Sequence, residues 1–259
     1  MFAEERHLRI LEVIREAGKA TVAELSEALG VSPVTVRRDL EKLEEKELLL
    51  RTHGGAIAVG TNIGELAREK SFSEKAEALA AEKERIAEAA ARLVSDGESV
   101  LLTAGTTNMM LAKKLAAKKR LKIVTNAANI AIEIGARTDF EVILIGGKLR
   151  PKSFALVGPL AENMLASIRV DKLFLGVDGL DLAEGLTTPN LSEASMDRRM
   201  ISIAREVIVV ADHSKFGTVY FSHVAPLDAV HAVITDKAPG EDVRSQFGRL
   251  GIRLIIAKS

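Results

Sequence analysis

The sequence predicts an N-terminal winged helix-turn-helix, α with a small β wing, joined to an α/β unit with a largely parallel sheet. Three observations carry this. From about residue 4 to residue 43, apolar residues recur at three- and four-residue spacing in three short stripes. A Gly-Gly pair then separates two strand-like runs. Beyond residue 74, helical stretches alternate with short β-rich runs.

Leu8 and Leu11, with Ile10 and Ile14, form the first stripe, and Gly18 ends it. Thr21 followed by Glu24 is a capping-box pattern, so a second helix begins there. It carries Val22, Leu25 and Leu29 and closes at Gly30. Ser32 suits an N-cap with Pro33 at the first helical position. Val36, Leu40 and Leu43 then face one way, while Thr35, Arg38 and Lys42 fall opposite and Arg37 lies on the flank. The run from Leu48 to Ile57 reads as strand, Gly54-Gly55 turn, strand. Residues 58–73 have weak periodicity and are expected to be a linker. The expected division is thus 1–57, 58–73 and 74–259.

The second part should open with a helix over 74–95. Strands are expected at 99–103, 122–125, 141–145, 172–177, 206–211, 232–235 and 253–257. Helices between most of them imply parallel pairing.

Composition excludes several classes. Thirty-six basic residues balance 36 acidic ones, which is unlike a histone-like protein or an acidic disordered tail. The chain has no cysteine, so zinc fingers, iron–sulfur clusters and thiol nucleophiles are out. Residues 1–14 carry Glu4, Glu5, Arg6, Arg9 and Glu12, leaving no apolar leader. The longest uncharged stretch, 99–112, is too short to span a bilayer. A cytoplasmic protein with no membrane partner is expected. The five histidines fit no standard metal spacing, and no metal is expected.

Most of the expected strands end in small or polar residues: Gly105-Thr106-Thr107, Thr125-Asn126, Gly146-Gly147, Asp178-Gly179, Asp212 and Asp236. In parallel sheets ligands bind beyond the carboxyl ends of the strands. Gly105, Thr106 and Thr107 lead into a helix, whose free N–H groups suit a phosphate. Standard nucleotide-binding and hydrolase motifs are absent.

The string Val31-Ser32-Pro33-Val34-Thr35-Val36-Arg37-Arg38-Asp39-Leu40, followed by Arg51-Thr52-His53-Gly54-Gly55-Ala56, resembles the DeoR family of bacterial transcription repressors. The likeness runs on through Gly185-Leu186-Thr187, Glu193-Ala194 and Asp212-His213-Ser214-Lys215-Phe216-Gly217. It implies an effector domain similar to sugar-phosphate isomerases, with a phosphorylated sugar or related metabolite as ligand and no other cofactor. By this resemblance Ser32, Thr35, Arg37 and Arg38 meet operator DNA, with Arg51 and His53 in the wing. Gly54 and Gly55 would let the wing approach the DNA backbone, and Asp39 would orient the arginines. Gly105, Thr106, Thr107 and Lys215 would take the phosphate end of the effector. Thr125, Asn126, Asp178, Thr187 and Glu193 would take its hydroxyls, with Gly146 and Gly147 beside them, and Arg150 would be a further anion contact. Two positions depart from the family pattern, Glu47 for Gly and Thr103 for Asp.

The resemblance implies a repressor of a carbohydrate-catabolic operon, assembled as a homodimer or homotetramer. The alternative is an active sugar-phosphate isomerase with an added DNA-binding domain. Asp178, Asp181 and Glu193 look like that enzyme's acidic residues, but no Lys precedes Gly185 to stabilise an enediolate. A DNA-organising protein without a ligand would leave most of the chain unexplained.

Overall fold

The computed structural model describes residues 3–17, 19–45, 48–52, 54–58 and 69–258. The chain divides into two compact units, Met1–Arg68 and Glu69–Ser259. Glu47, His53 and the Arg51 side chain lie outside what is described, as do residues 59–68 of the expected linker.

In the first unit α1 spans Ala3–Ala17, β1 Lys19–Thr21, α2 Val22–Leu29 and α3 Pro33–Glu45. Strands β2, Leu49–Thr52, and β3, Gly55–Ala58, form the wing. The caps are those the sequence predicts. Thr21 Oγ1 accepts from the Glu24 N–H at 3.2 Å, and Glu24 accepts in return from the Thr21 N–H at 2.7 Å. Gly30 ends α2 at φ 63, where a side chain would be strained. Ser32 Oγ accepts from the Thr35 N–H at 3.2 Å. Ile10, Ile14, Leu25, Leu29, Val36, Leu40, Leu43 and Leu49 make the core.

β1 has no sequence signal because three residues are too few for a period. It pairs antiparallel with β3, placing Thr21 opposite Gly55. That pairing gives Gly55 a reason beyond the wing turn. A Cβ there would sit 2.1 Å from the Ala20 carbonyl oxygen, whereas one at Gly54 would meet nothing.

The second unit begins with α4, Phe72–Glu77, and α5, Ala80–Arg92. The single helix expected over 74–95 is therefore two. Leu79 takes the left-handed conformation, φ 52, and breaks it. The buried Lys83 ammonium donates to the Lys75 and Ala78 carbonyls, groups the break leaves open. Ser71 and Glu74 form a capping box ahead of α4.

All seven expected strands form, as β4 Ser99–Leu102, β5 Lys122–Thr125, β6 Glu141–Leu144, β9 Val170–Gly176, β12 Ala204–Val210, β14 Ala232–Thr235 and β15 Arg253–Ile256. They make one parallel sheet in the order β15-β14-β12-β9-β4-β5-β6. Alternate residues face opposite layers. Val100, Leu102 and Phe174 pack with α5, α6 (Thr106–Leu115) and α7 (Ala128–Gly135). Leu101, Leu173 and Leu175 pack with α8 (Pro159–Leu165), α9 (Leu191–Ile203) and α10 (Glu241–Leu250). Two small antiparallel pieces are not legible in the sequence. One is the hairpin β7, Lys148–Leu149, with β8, Leu156–Val157. The other is a sheet of β10 (Gly179–Asp181), β11 (Gly185–Thr188) and β13 (Ser222–Ala225).

From β4 the chain winds outward through β5 and β6, then returns to β9 on the other side of β4. The sheet therefore reverses direction between β4 and β9, and a crevice opens beyond their carboxyl ends. Among the described residues no helix is long and apolar enough to cross a membrane.

Candidate functional site

Two surfaces follow from this frame. On α3, Val36, Leu40 and Leu43 are buried, while Arg37, Arg38 and Lys42 are exposed. Neither Arg37 nor Arg38 has an ion pair or side-chain hydrogen bond with another described residue, so both guanidinium forks are open to an outside acceptor. Ser32 and Thr35 hydroxyls lie 2.9 Å apart at the start of the helix.

Asp39 does not orient these arginines. It turns inward, 3% exposed, and binds α1 instead. Arg6 Nη2 donates to Asp39 Oδ1 at 3.1 Å, Arg6 Nε donates to Oδ2, and His7 Nε2 lies 3.0 Å from Oδ1. Burial opposes ionisation of Asp39, but the Arg6 and His7 contacts outweigh it and hold the carboxyl below its usual range. Helical period explains the geometry. Asp39 is three residues from Val36 and four from Leu43, so it shares their inward face.

The second surface is the crevice at the sheet reversal. Gly105, Thr106 and Thr107 form one wall at the start of α6, where Gly105 has φ 142. Asn126 stands beside them and accepts from the Ala104 N–H at 3.1 Å. Asp178, just past β9, also lines the crevice, with Thr188, Glu193 and Asp197. Asp212, Ser214 and Lys215 contribute from the loop after β12, and Lys75 and Lys83 from α4 and α5.

Opposite charges meet in this crevice. Lys75 Nζ meets Asp178 Oδ1 at 2.5 Å, and Thr188 Oγ1 donates to Asp178 Oδ2 at 3.0 Å. Burial works against both charges of the pair. Their mutual attraction prevails, raising Lys75 and lowering Asp178. Burial holds the Lys83 ammonium below its usual range; Asp212 opposes this, while Lys215 and Lys75 add to it. The Lys75 and Lys215 ammonium groups are thus close enough to Lys83 to act on it. Among the acidic groups burial lifts Glu193, although the Ser153 hydroxyl and Arg150 oppose it. Burial, then Glu193 and Asp178, push the Asp197 carboxyl well above its usual range.

Of the residues the resemblance implies for the effector, Gly105, Thr106, Thr107, Asn126, Asp178, Glu193 and Lys215 line the crevice together. The others do not. Thr125 Oγ1 donates to the Leu102 carbonyl at 2.8 Å, tying β5 to β4. Thr187 Oγ1 accepts from the Tyr220 N–H at 3.0 Å, and strand alternation brings its neighbour Thr188 to the crevice instead. Gly146 and Gly147 precede β7; a Cβ on Gly147 would sit 2.7 Å from the Val157 carbonyl oxygen. Arg150 stands behind the wall, 2.5 Å from Glu69 and 2.7 Å from Glu193. Thr103 does not line the crevice either. Its hydroxyl accepts from the Gly176 N–H at 3.0 Å and from Asn108 Nδ2 at 3.1 Å, joining the ends of β4 and β9.

Sequence reading missed Lys75, Lys83, Thr188 and Asp197. Lys75 and Lys83 precede β4, the first strand of the parallel sheet, where no strand-end rule would look. The Ser71–Glu74 capping box was the available signal that an ordered element begins there.

The exposed basic face of α3 and the polar crevice define a helix-turn-helix DNA-binding protein with a ligand-sensing α/β unit. Comparison with known proteins fixes the family. Residues 6–62 match the DeoR-like helix-turn-helix domain, and residues 79–237 match the DeoR C terminal sensor domain. The chain belongs to the DeoR family of transcriptional regulators. It is 39% identical to the HTH-type transcriptional regulator GlpR of Haloferax volcanii over 98% of both chains. It is 34% identical to the HTH-type transcriptional repressor GlcR of Bacillus subtilis, with 100% of this chain and 98% of the relative covered. Identity to the glycerol-3-phosphate regulon repressor of Escherichia coli is also 34%, over 91% of each. Among solved structures, ribose 5-phosphate isomerase A from Methanocaldococcus jannaschii is 17% identical, covering 52% of this chain and 54% of that one at a TM-score of 0.39. That likeness is too slight to bear on the site.

Proposed function

We propose that this regulator represses a carbohydrate-catabolic operon and releases its operator when a phosphorylated sugar enters the crevice. The observation that carries the reading is the meeting of a helix start, lysines and carboxylates in one crevice beyond β4 and β9. The Gly105–Thr106–Thr107 helix start and Lys215 face an anion, and Asp178 and Glu193 accept from hydroxyls. In this reading Asn126 also meets a hydroxyl. Thr125, Gly146, Gly147, Arg150 and Thr187 act from outside the crevice by holding its walls.

On DNA, Arg37 and Arg38 enter the major groove with α3, Ser32 and Thr35 contact phosphate or a base edge, and Arg51 and His53 serve the wing. The link between the DNA-binding part and the effector part falls within residues 58–73, of which Ala58 ends β3 and Phe72 and Ser73 begin α4. The protein works in the cytoplasm as a homodimer or homotetramer, because operator symmetry follows subunit symmetry. It is a sensor and not an isomerase: its relatives are named as regulators, and the Lys75 ammonium is engaged by Asp178.

The test is Thr106→Asp in the full chain, with glycerol-3-phosphate, glucose-6-phosphate and fructose-1-phosphate as probes. A carboxylate at the helix start repels an anion. The variant should bind operator DNA as the parent does and respond to none of the three. A normal response would move the phosphate site elsewhere.

A further inference from the structure

Residues 69–79 are the first described residues of the second unit. They are also part of the crevice wall, through Phe72, Lys75 and Leu79. Every described anchor of this strap sits on crevice residues or on the loop behind them. Glu69 pairs with Arg150, whose other guanidinium nitrogen pairs with Glu193. The Phe72 N–H donates to the Lys152 carbonyl at 2.7 Å, and its ring meets Phe154 edge-on at 5.5 Å. Lys75 pairs with Asp178.

The backbone is strained where the strap is held. Three non-glycine residues among those described have left-handed φ, and two of them belong here. Leu79, at φ 52, ends the strap, and Phe154, at φ 59, docks it. Such conformations cost free energy and persist only when surrounding contacts enforce them.

We infer that residues 69–79 couple the crevice to the DNA-binding unit, with the Glu69–Arg150–Glu193 bridge as the latch. This rests on the crevice being the effector site. A ligand whose hydroxyls engage Glu193 and Asp178 competes with Arg150 and Lys75 for the same carboxylates. The strap is docked in the operator-binding state and released in the liganded one. Coupling of this kind is reciprocal: the ligand weakens DNA binding by the factor by which DNA weakens ligand binding.

Glu69→Gln tests this, because Glu69 does not line the crevice. Operator affinity by anisotropy and affinity for the three sugar phosphates by calorimetry are measured on the full chain at fixed salt. Without ligand, the variant should bind operator about fivefold or more weakly, and the strongest of the three phosphates should weaken it further by less than about twofold. That phosphate should bind as tightly as to the parent, or more tightly. Glu69→Asp, which keeps the charge, should restore the parental operator affinity. Simple damage would lower both affinities, and that result overturns the proposal, as does a parental response in Glu69→Gln. If no phosphate affects the parent, the effector reading fails by itself. The ligand-free comparison still decides the strap: a loss of operator affinity with an unchanged melting temperature supports it, and unchanged operator affinity overturns it.

Discussion

Arg38 and Asp39 are neighbours on α3 with opposite tasks. Arg38 faces out and has no partner among the described residues, whereas Asp39 faces in and ties α3 to α1 through Arg6 and His7. Arg38→Ala should therefore cost about 1–3 kcal/mol of operator binding and leave the melting temperature unchanged; equal DNA affinity would remove Arg38 from the interface. Asp39→Asn should do the reverse and lower the stability of the first unit by about 2 kcal/mol, the scale of a hydrogen bond to a charged group. The pH dependence follows from the sign of the shift. The folded Asp39 carboxyl lies below its ordinary value of 3.8, so its contribution is present above that value and lost as pH falls through the folded one. Denaturant melts of parent and Asp39→Asn should converge in that acid range. A constant difference from neutral pH to strong acid would show that the carboxylate charge is not what matters. Which arginine-rich face looks outward was readable from helical period alone. That Asp39 would pair with residues 32 and 33 positions earlier was not, since nothing local encodes the partner.

At the scale of elements, local signals located the helices and strands, and long-range packing decided the rest. Thr21, Gly30 and Ser32 act on their own backbone neighbourhood, so the ends of α2 and the start of α3 were legible. β1 and the three-stranded sheet of β10, β11 and β13 depend on distant partners and were not. The break between α4 and α5 belongs with them, because the Lys83 ammonium that satisfies it comes from the next turn of chain. Gly55 measures how far β1 matters. Gly55→Ala places a methyl group against the Ala20 carbonyl and should destabilise the first unit by about 1–3 kcal/mol, the range for overpacking a tight site. Thermal melting checks this, with Gly54→Ala, which meets no atom, as the control. Equal melting temperatures for the two variants would mean that β1 is not firmly paired.

In the whole molecule, the crevice position was implied by strand ends and fixed by strand order. Seven residues named from the sequence converge there because they follow β4, β5, β9 and β12 or begin α9, all opening on one edge of the sheet. The lysines of α4 and α5 join them through the fold alone. Function then depends on one linkage: the crevice must bind its ligand with different affinity in the operator-bound and free states. Anisotropy of the intact protein on DNA from upstream of its own gene, against random DNA, tests this directly with and without the three sugar phosphates. Salt is held fixed, because phosphate contacts make affinity steeply salt-dependent. Preferential binding to the upstream DNA, weakened by one of the phosphates, is the expected result. Preferential binding that none of the phosphates changes, or equal affinity for both DNAs, would contradict it.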